Sequence, residues 1–148
     1  MSTNVLFVCT GNICRSPIAE GILKKLIFDK NRSMQISSSG ILAIDGMPAS
    51  LEAQKVCQEI QVDISKHKSQ TLTRELILKS DCILTMTQNQ YWTILDRLPH
   101  LQSKVHLLSN FSYNTNENIL DPMGKDLDYY REVRDQIFKY VYRLIDQF

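Results

Sequence analysis

Residues 5–20 take an apolar strand directly into a short loop and then into a helix. Residues 5–8 form a continuous apolar run, which is typical of a strand buried on both faces of a parallel sheet. Ile18, Ile22 and Leu26 follow at helical spacing, so this segment should pack one apolar stripe against the sheet. The stretch therefore predicts the first strand and helix of an α/β unit.

The same alternation continues along the chain. Apolar runs predict further strands at residues 34–38, 81–86 and 104–108. Helices are predicted at residues 49–60, 73–79, 87–98 and 126–148, with capping residues Thr73, Thr87 paired with Gln90, and Asp126. Residues 109–123 are rich in Asn and Ser and are expected to form a polar loop. We predict one domain over residues 1–148, a three-layer α/β/α fold with a four-stranded parallel sheet.

The loop after the first strand has the residue types of an anion cradle. Cys9 and Arg15 lie six residues apart around Gly11 and Asn12, which tolerate left-handed backbone. Ser16 and Pro17 then open a helix whose free N–H groups attract an anion. We predict a phosphate-binding loop whose amides form a nest, contributed by Thr10, Gly11, Asn12, Ile13, Cys14 and Arg15.

A thiol in such a cradle suits the hydrolysis of a phosphate ester. The helix start and Arg15 should favour the thiolate of Cys9, the nucleophilic form. The planar Arg15 guanidinium can hold two phosphate oxygens. Expelling an alcohol or phenol also needs a general acid, and Asp121 is the best candidate. The alternative is that Asp121 only forms a turn before Pro122.

Composition narrows the kinds of partner. The 148 residues carry a net charge of +1, so no broad basic surface for nucleic acid is expected. No basic stretch precedes the first apolar run, and none of the runs approaches the roughly 18 apolar residues of a membrane span. We expect a cytoplasmic protein that binds neither nucleic acid nor a membrane. The histidines lack metal-ligand spacing and nucleotide-binding glycine patterns are missing, so neither metal nor cofactor is expected.

Four cysteines occur without a CxxC pair, which argues against a disulfide framework and fits a reducing compartment. Cys57 and Cys82 are expected to be packing residues. Cys14 is close enough in sequence to Cys9 for a reversible disulfide that would protect the thiolate from over-oxidation. The sequence leaves open whether Cys14 has this redox role or only packs.

Residues 9–20, CTGNICRSPIAE, and the distant pair Asp121-Pro122 resemble the low-molecular-weight protein tyrosine phosphatases. Residues 37–40 and 64–69 also resemble segments of that family, so the resemblance covers nearly the whole chain. It implies a two-step hydrolysis of tyrosine-phosphorylated proteins without metal or cofactor. Cys9 would attack phosphorus while Asp121 protonates the leaving phenolate, and Asp121 would then activate the water that hydrolyses the cysteinyl phosphate.

The resemblance also implies roles for residues around the loop. Arg15 would bind the transferring group, and Ser16 would hydrogen-bond the thiolate. Asn12 would hold the loop through a network that includes Ser38 and His67. A monomer is expected, while weak self-association and secretion by an unconventional route stay open.

Two positions bear on substrate preference. Many eukaryotic members have two Tyr after the Asp-Pro pair, where this chain has Met123-Gly124, so the chain resembles the bacterial branch. Related bacterial protein-arginine phosphatases typically have Thr where this chain has Ile13. The bulkier Ile13 should pack against a phenol ring and crowd a guanidinium, which favours phosphotyrosine over phosphoarginine.

Two further functions are weaker alternatives. Arsenate reductases of similar fold need a redox pair of cysteines near the segment after the third strand. Cys82 falls inside that predicted strand and Thr87 follows it, so the pair is missing. A non-catalytic phosphate-binding module would need no general acid, and a large separation of Asp121 from Cys9 would favour it.

Overall fold

In the computed structural model, which describes residues 2–148, four parallel strands form one sheet in the order β2-β1-β3-β4. The strands are Thr3–Cys9 (β1), Met34–Gly40 (β2), Cys82–Thr85 (β3) and Val105–Leu107 (β4). β1 pairs with β2 on one side and β3 on the other. The predicted four-stranded parallel sheet is confirmed.

Helices cover both faces of this sheet. Within the described residues they are Arg15–Asp29 (α1), Leu51–Gln58 (α2), Arg74–Lys79 (α3), Gln88–Arg97 (α4), Leu108–Tyr113 (α5) and Leu127–Leu144 (α6). Short 3₁₀ turns follow α4 and α6. No helix in this part of the chain combines the length and the apolar character needed to cross a membrane.

Alternate residues of β1 face two separate cores. Val5 and Phe7 belong to the larger core, which also contains buried residues of α1, α2 and α6. Leu6 and Val8 belong to the smaller core, together with buried residues of α3 and α4. Because successive side chains of a strand point to opposite faces, this division places the two helix layers on either side of the sheet and confirms the three-layer fold.

The predicted capping residues begin their helices. Thr73 Oγ1 accepts the N–H of Leu76 at the start of α3. Thr87 and Gln90 form a reciprocal capping box at the start of α4. Asp126 accepts the N–H of Tyr129 at the start of α6. Each cap satisfies an amide that has no partner inside its helix, so these boundaries follow from local chemistry.

The expected polar loop over residues 109–123 was wrong in its first part, because α5 begins at Leu108. Leu108 is buried in the larger core. Ser112 is also buried, and its hydroxyl donates to the carbonyl of Leu108 at 2.7 Å. Asn114 ends the helix with a left-handed φ of 58°. A six-residue helix is too short to show a clear apolar period in the sequence.

Candidate active site

Cys9 ends β1 beside the start of α1, at the carboxyl end of a central strand. The residue is buried. Its Sγ accepts the N–H of Asn12 at 3.2 Å and lies 2.9 Å from Ser16 Oγ. Ser16 Oγ itself accepts from Asn12 Nδ2 at 2.8 Å, so the Ser16 proton is free to point at the sulfur. These donors favour the negatively charged thiolate.

Asn12 is the centre of the loop after β1. It is fully buried and has a left-handed φ of 58°. Its Nδ2 also donates to Ser38 Oγ at 2.9 Å, and its Oδ1 accepts the N–H of Gln70 at 2.9 Å. Gly11 does not have positive φ, so Asn12 alone supplies the left-handed backbone expected from this pair.

The segment between α2 and α3 hydrogen-bonds to the loop. His67 Nε2 lies 2.7 Å from the carbonyl oxygen of Asn12. Ser38, at the other side, donates its hydroxyl to the carboxylate of Glu20 in α1. The structure therefore brings Ser38 and His67 onto Asn12, as the resemblance implied. Gln70 and Glu20 complete this network, and sequence reasoning assigned neither of them to the site.

Gln90 ties the first residue of the loop to the start of α4. Its Oε1 accepts the amides of Met86 and Thr87 at 2.9 and 3.0 Å. Its Nε2 donates to Thr10 Oγ1 at 3.2 Å. The capping-box signal identified Gln90 as a helix start, but no pattern in the sequence pointed to Thr10 as its second partner.

Arg15 and Asp121 meet at the mouth of the loop. Arg15 is buried, and its Nη1 donates to the carbonyl of Ile119 at 3.1 Å. Its Nη2 lies 3.9 Å from Asp121 Oδ2. The side chain of Asp121 is 63% exposed. Its carboxyl is therefore open to solvent, whereas the guanidinium of Arg15 is buried and held by Ile119.

The side chain of Cys14, within the loop, belongs to a polar cluster. Its Sγ is 3.3 Å from Tyr130 OH and 3.6 Å from Ser50 Oγ. Burial raises the pKa of the Cys14 thiol, and the nearby charge of Cys9 acts in the same direction. Both effects disfavour the thiolate form of Cys14. Disulfide formation between them stays a prediction.

The other two cysteines are remote from this chemistry. Cys57 and Cys82 are both buried in the larger core. Burial raises the pKa of each thiol to about 12. Both are packing residues, as the sequence analysis expected.

Apolar side chains adjoin the cradle. Ile13 is half-buried and packs against the larger core. Leu42 is 77% exposed, and its backbone N–H donates to the carbonyl of Thr10 at 2.9 Å. Met123 is also exposed, and its N–H donates to Asp121 Oδ1 at 3.1 Å. The backbone contacts place Leu42 beside the loop and Met123 beside Asp121, and both side chains are exposed.

The arrangement can perform nucleophilic displacement at phosphorus. It combines a buried thiol with two hydrogen-bonding contacts, a fixed guanidinium and an accessible carboxyl. Within residues 2–148, no three His, Cys, Asp or Glu side chains are grouped so that they could hold a metal ion.

Comparison with known families gives a match over almost the whole chain. The family model described as low molecular weight phosphotyrosine protein phosphatase matches residues 4–148. The chain is 33% identical to a protein-arginine-phosphatase of Geobacillus stearothermophilus, covering 99% of this chain and 97% of the relative. It is 36% identical to the low molecular weight protein-tyrosine-phosphatase Ptp of Acinetobacter johnsonii, covering 87% of this chain and 86% of that relative.

A solved structure agrees with these sequence matches. The crystal structure of a low molecular weight protein tyrosine phosphatase from T. tengcongensis superimposes with a TM-score of 0.95 at 31% identity. The match covers 99% of this chain and all of that one. Both its order of elements and its size therefore correspond to those described above.

Proposed function

Because the chain belongs to the low-molecular-weight protein tyrosine phosphatase family, we propose that it hydrolyses phosphotyrosine in proteins through a cysteinyl-phosphate intermediate. The observation that carries this proposal is the meeting of three groups at one loop. Cys9 lies at its floor, Arg15 is buried beside it, and Asp121 Oδ2 is 3.9 Å from the Arg15 guanidinium. This proximity also argues against a non-catalytic phosphate-binding module.

In the first step, the thiolate of Cys9 attacks phosphorus. The S–P bond forms as the bond between phosphorus and the phenolic oxygen breaks, and Asp121 gives its proton to that oxygen. Arg15 and the amides of residues 10–15 hold the three remaining oxygens, whose charge distribution changes in the transition state. The fixed contact of Arg15 with Ile119 keeps the guanidinium oriented before substrate binds.

In the second step, water displaces Cys9. Asp121, now a carboxylate, takes a proton from the water as its oxygen bonds to phosphorus. The S–P bond breaks, inorganic phosphate leaves and the thiolate is regenerated. Ser16 and the amide of Asn12 stabilise that thiolate as a leaving group, since both contact Sγ. Neither step requires a metal or a cofactor.

Roles for the supporting residues follow from their contacts. Asn12 fixes the shape of the loop, and Ser38 and His67 hold Asn12 in place. We further propose that residues 1–148 act as one catalytic domain, in the cytoplasm and as a monomer. The small net charge of +1 supports a partner recognised locally, a phosphorylated side chain rather than nucleic acid or a membrane.

The experiment compares two aryl phosphates with different leaving groups. Asp121→Asn should reduce kcat by about 10²–10⁴-fold for phenyl phosphate. The reduction should be smaller for p-nitrophenyl phosphate, whose phenolate leaves without protonation. Cys9→Ser should lose nearly all activity with both substrates. Asp29→Asn is the control, because Asp29 is an exposed carboxylate at the end of α1. Full activity of Cys9→Ser would exclude the mechanism.

A second candidate function is hydrolysis of phosphoarginine. It is favoured by the 33% identity to a protein-arginine-phosphatase. Ile13 argues against it, because a bulky apolar side chain beside the cradle suits a phenol ring better than a charged guanidinium. Two peptides that differ only in phosphotyrosine or phosphoarginine decide between them. Equal or faster turnover of phosphoarginine by the unmodified enzyme would overturn the tyrosine preference, and Ile13→Thr should shift the ratio towards phosphoarginine.

A further inference from the structure

An open groove lies between α3 and α4, on the sheet face opposite α1 and α6. Its volume is about 190 Å³. Its apolar lining combines residues from the loop after β2, the segment before α3 and the two helices, namely Ile41, Leu72, Ile77, Ile94 and Leu98. Small-molecule sites usually occupy roughly 300–1,000 Å³. The groove is therefore sized for one or two side chains of a peptide.

Two arginines stand at this groove. Arg74 and Arg97 both line it and are exposed. Among residues 2–148, neither guanidinium has a carboxylate within ion-pair distance or a hydrogen bond to the rest of the chain. Since no carboxylate lines the groove in this part of the chain, an occupant with negative charge beside its apolar group would complement it.

The groove connects to the catalytic loop through the backbone. Ile41, in the groove, donates its N–H to the carbonyl of Cys9 at 3.0 Å. Leu72, also in the groove, donates to the carbonyl of Gly40 at 2.9 Å, and Gly40 is the strand partner of Cys9. One end of the groove thus lies next to the backbone of the nucleophile. This end of the groove is therefore within reach of a substrate segment whose phosphorylated side chain occupies the cradle.

We propose that this groove binds a segment of the phosphoprotein substrate that carries an aliphatic or aromatic side chain flanked by acidic residues. The apolar side chain enters the groove, and the acidic residues pair with Arg74 and Arg97. This inference rests on the proposed phosphatase function and adds a recognition element outside the cradle. Its effect falls on substrate affinity, because neither arginine contacts the reacting groups.

The test uses two synthetic phosphotyrosine peptides of equal length. One carries Glu-Leu-Glu on each side of the phosphotyrosine, separated from it by two glycines, and the other carries Ser-Ser-Ser at the same places. The kcat/KM of the Glu-Leu-Glu peptide should be about three- to tenfold higher than that of the Ser-Ser-Ser peptide, because its KM is lower. This ratio corresponds to the free energy that two exposed ion pairs contribute. Raising the salt concentration should reduce this ratio.

Three variants test whether the groove causes the preference for the Glu-Leu-Glu peptide. Arg74→Glu/Arg97→Glu should abolish the preference while leaving turnover of p-nitrophenyl phosphate within twofold. Thr93→Trp, which fills the groove from α4 without changing charge, should also raise KM for the Glu-Leu-Glu peptide. The control is Lys25→Glu/Lys55→Glu, which makes the same charge change on α1 and α2 and should keep the preference.

Two results would overturn the groove proposal. The unmodified enzyme would hydrolyse both peptides equally well, or the control pair would lose the preference as fully as the arginine pair. Absence of p-nitrophenyl phosphate hydrolysis would instead refute the phosphatase function. The groove is then tested by fluorescence anisotropy with fluorescein-labelled, unphosphorylated versions of the two peptides. The protein should still bind the Glu-Leu-Glu peptide more tightly than the Ser-Ser-Ser peptide. Arg74→Glu/Arg97→Glu should bind both peptides equally.

Discussion

Asn12 combines two demands that few side chains can meet together. Its backbone is left-handed, and its side-chain amide uses both Nδ2 protons and Oδ1 in hydrogen bonds to Ser16, Ser38 and the amide of Gln70. Asn tolerates this backbone better than most residues. The loop therefore depends on one residue for both its shape and the orientation of the hydroxyl beside Cys9.

Replacing Asn12 in two ways separates these demands. Asn12→Gly keeps the left-handed backbone but leaves the partly buried amide of Gln70 unpaired, which should cost about 1–3 kcal/mol of unfolding free energy. Asn12→Ala should cost about 1 kcal/mol more, since it also strains the backbone. Urea denaturation measures both values. Equal stability of the two variants would show that the backbone conformation is not the limiting feature.

The reacting residues were more predictable from the sequence than the residues that support them. Cys9 and Arg15 were recognisable because loop, strand and helix signals coincide within a few positions. Gln70 and Gln90 were missed as site residues, because their partners Asn12 and Thr10 lie far away in the chain. Hydrogen bonds over such separations depend on how α4 and the segment before α3 pack, which local patterns do not encode.

At the scale of elements, α2 and α6 are joined by an exposed ion-pair network. Glu59 follows α2 and accepts from Arg131 and Arg134 of α6, with contacts of 2.8 and 2.6 Å. Hydrogen bonds from these two arginines lower the pKa of Glu59 to about 2. The carboxylate is thus bound more favourably in the folded protein than in the unfolded chain.

The sign of this shift predicts a pH-dependent stability. A lowered folded-state pKa stabilises the protein above the unfolded value near 4.3, and this contribution disappears as the pH falls towards 2. Glu59→Gln should therefore be less stable than the unmodified protein at pH 7, and the difference should shrink between pH 4.3 and 2. Urea denaturation across this range measures it. Glu132→Gln is the control, because it removes an exposed carboxylate of α6 that makes no ion pair within residues 2–148.

The elements differ in how predictable they were. α4 and α6 have clear caps and apolar stripes, and both were predicted to within a few residues. α5 was missed because Ser109 and Ser112 look like loop residues, although both are buried in the structure. Ser109 is satisfied by the carbonyls of Thr115 and Glu117. These partners lie beyond the end of α5, so no local pattern in the sequence indicates that Ser109 is helical.

At the scale of the whole molecule, hydrogen bonds link the segment that carries Asp121 to β3 and to α6. The amide of Ile119, two residues before Asp121, donates to the carbonyl of Met86 after β3 at 2.9 Å. The amide of Leu120 donates to Gln136 of α6 at 3.2 Å. Arg15 donates to Ile119 of the same segment, so an anion held by Arg15 and the loop amides strengthens a hydrogen-bonded network that reaches β3 and α6.

Binding of an oxyanion should accordingly stabilise the entire domain. At a phosphate concentration 100 times its dissociation constant, the gain is about 2.7 kcal/mol. For a domain of this size that raises Tm by about 5–10 °C. Scanning calorimetry in phosphate and in chloride of equal ionic strength measures the shift. Arg15→Met should lose most of it; an undiminished shift would place the bound anion elsewhere.

The position of Asp121 in the chain determines when the site is completed during translation. The nucleophile is near the beginning of the chain, whereas the acid and the α6 residue that anchors its loop come more than a hundred residues later. Translation at about 5–20 residues per second separates their appearance by roughly 5–20 s. A nascent chain that ends before Asp121 thus carries the thiol without its proton donor, and dephosphorylation should begin only after residues 121–136 have been synthesised.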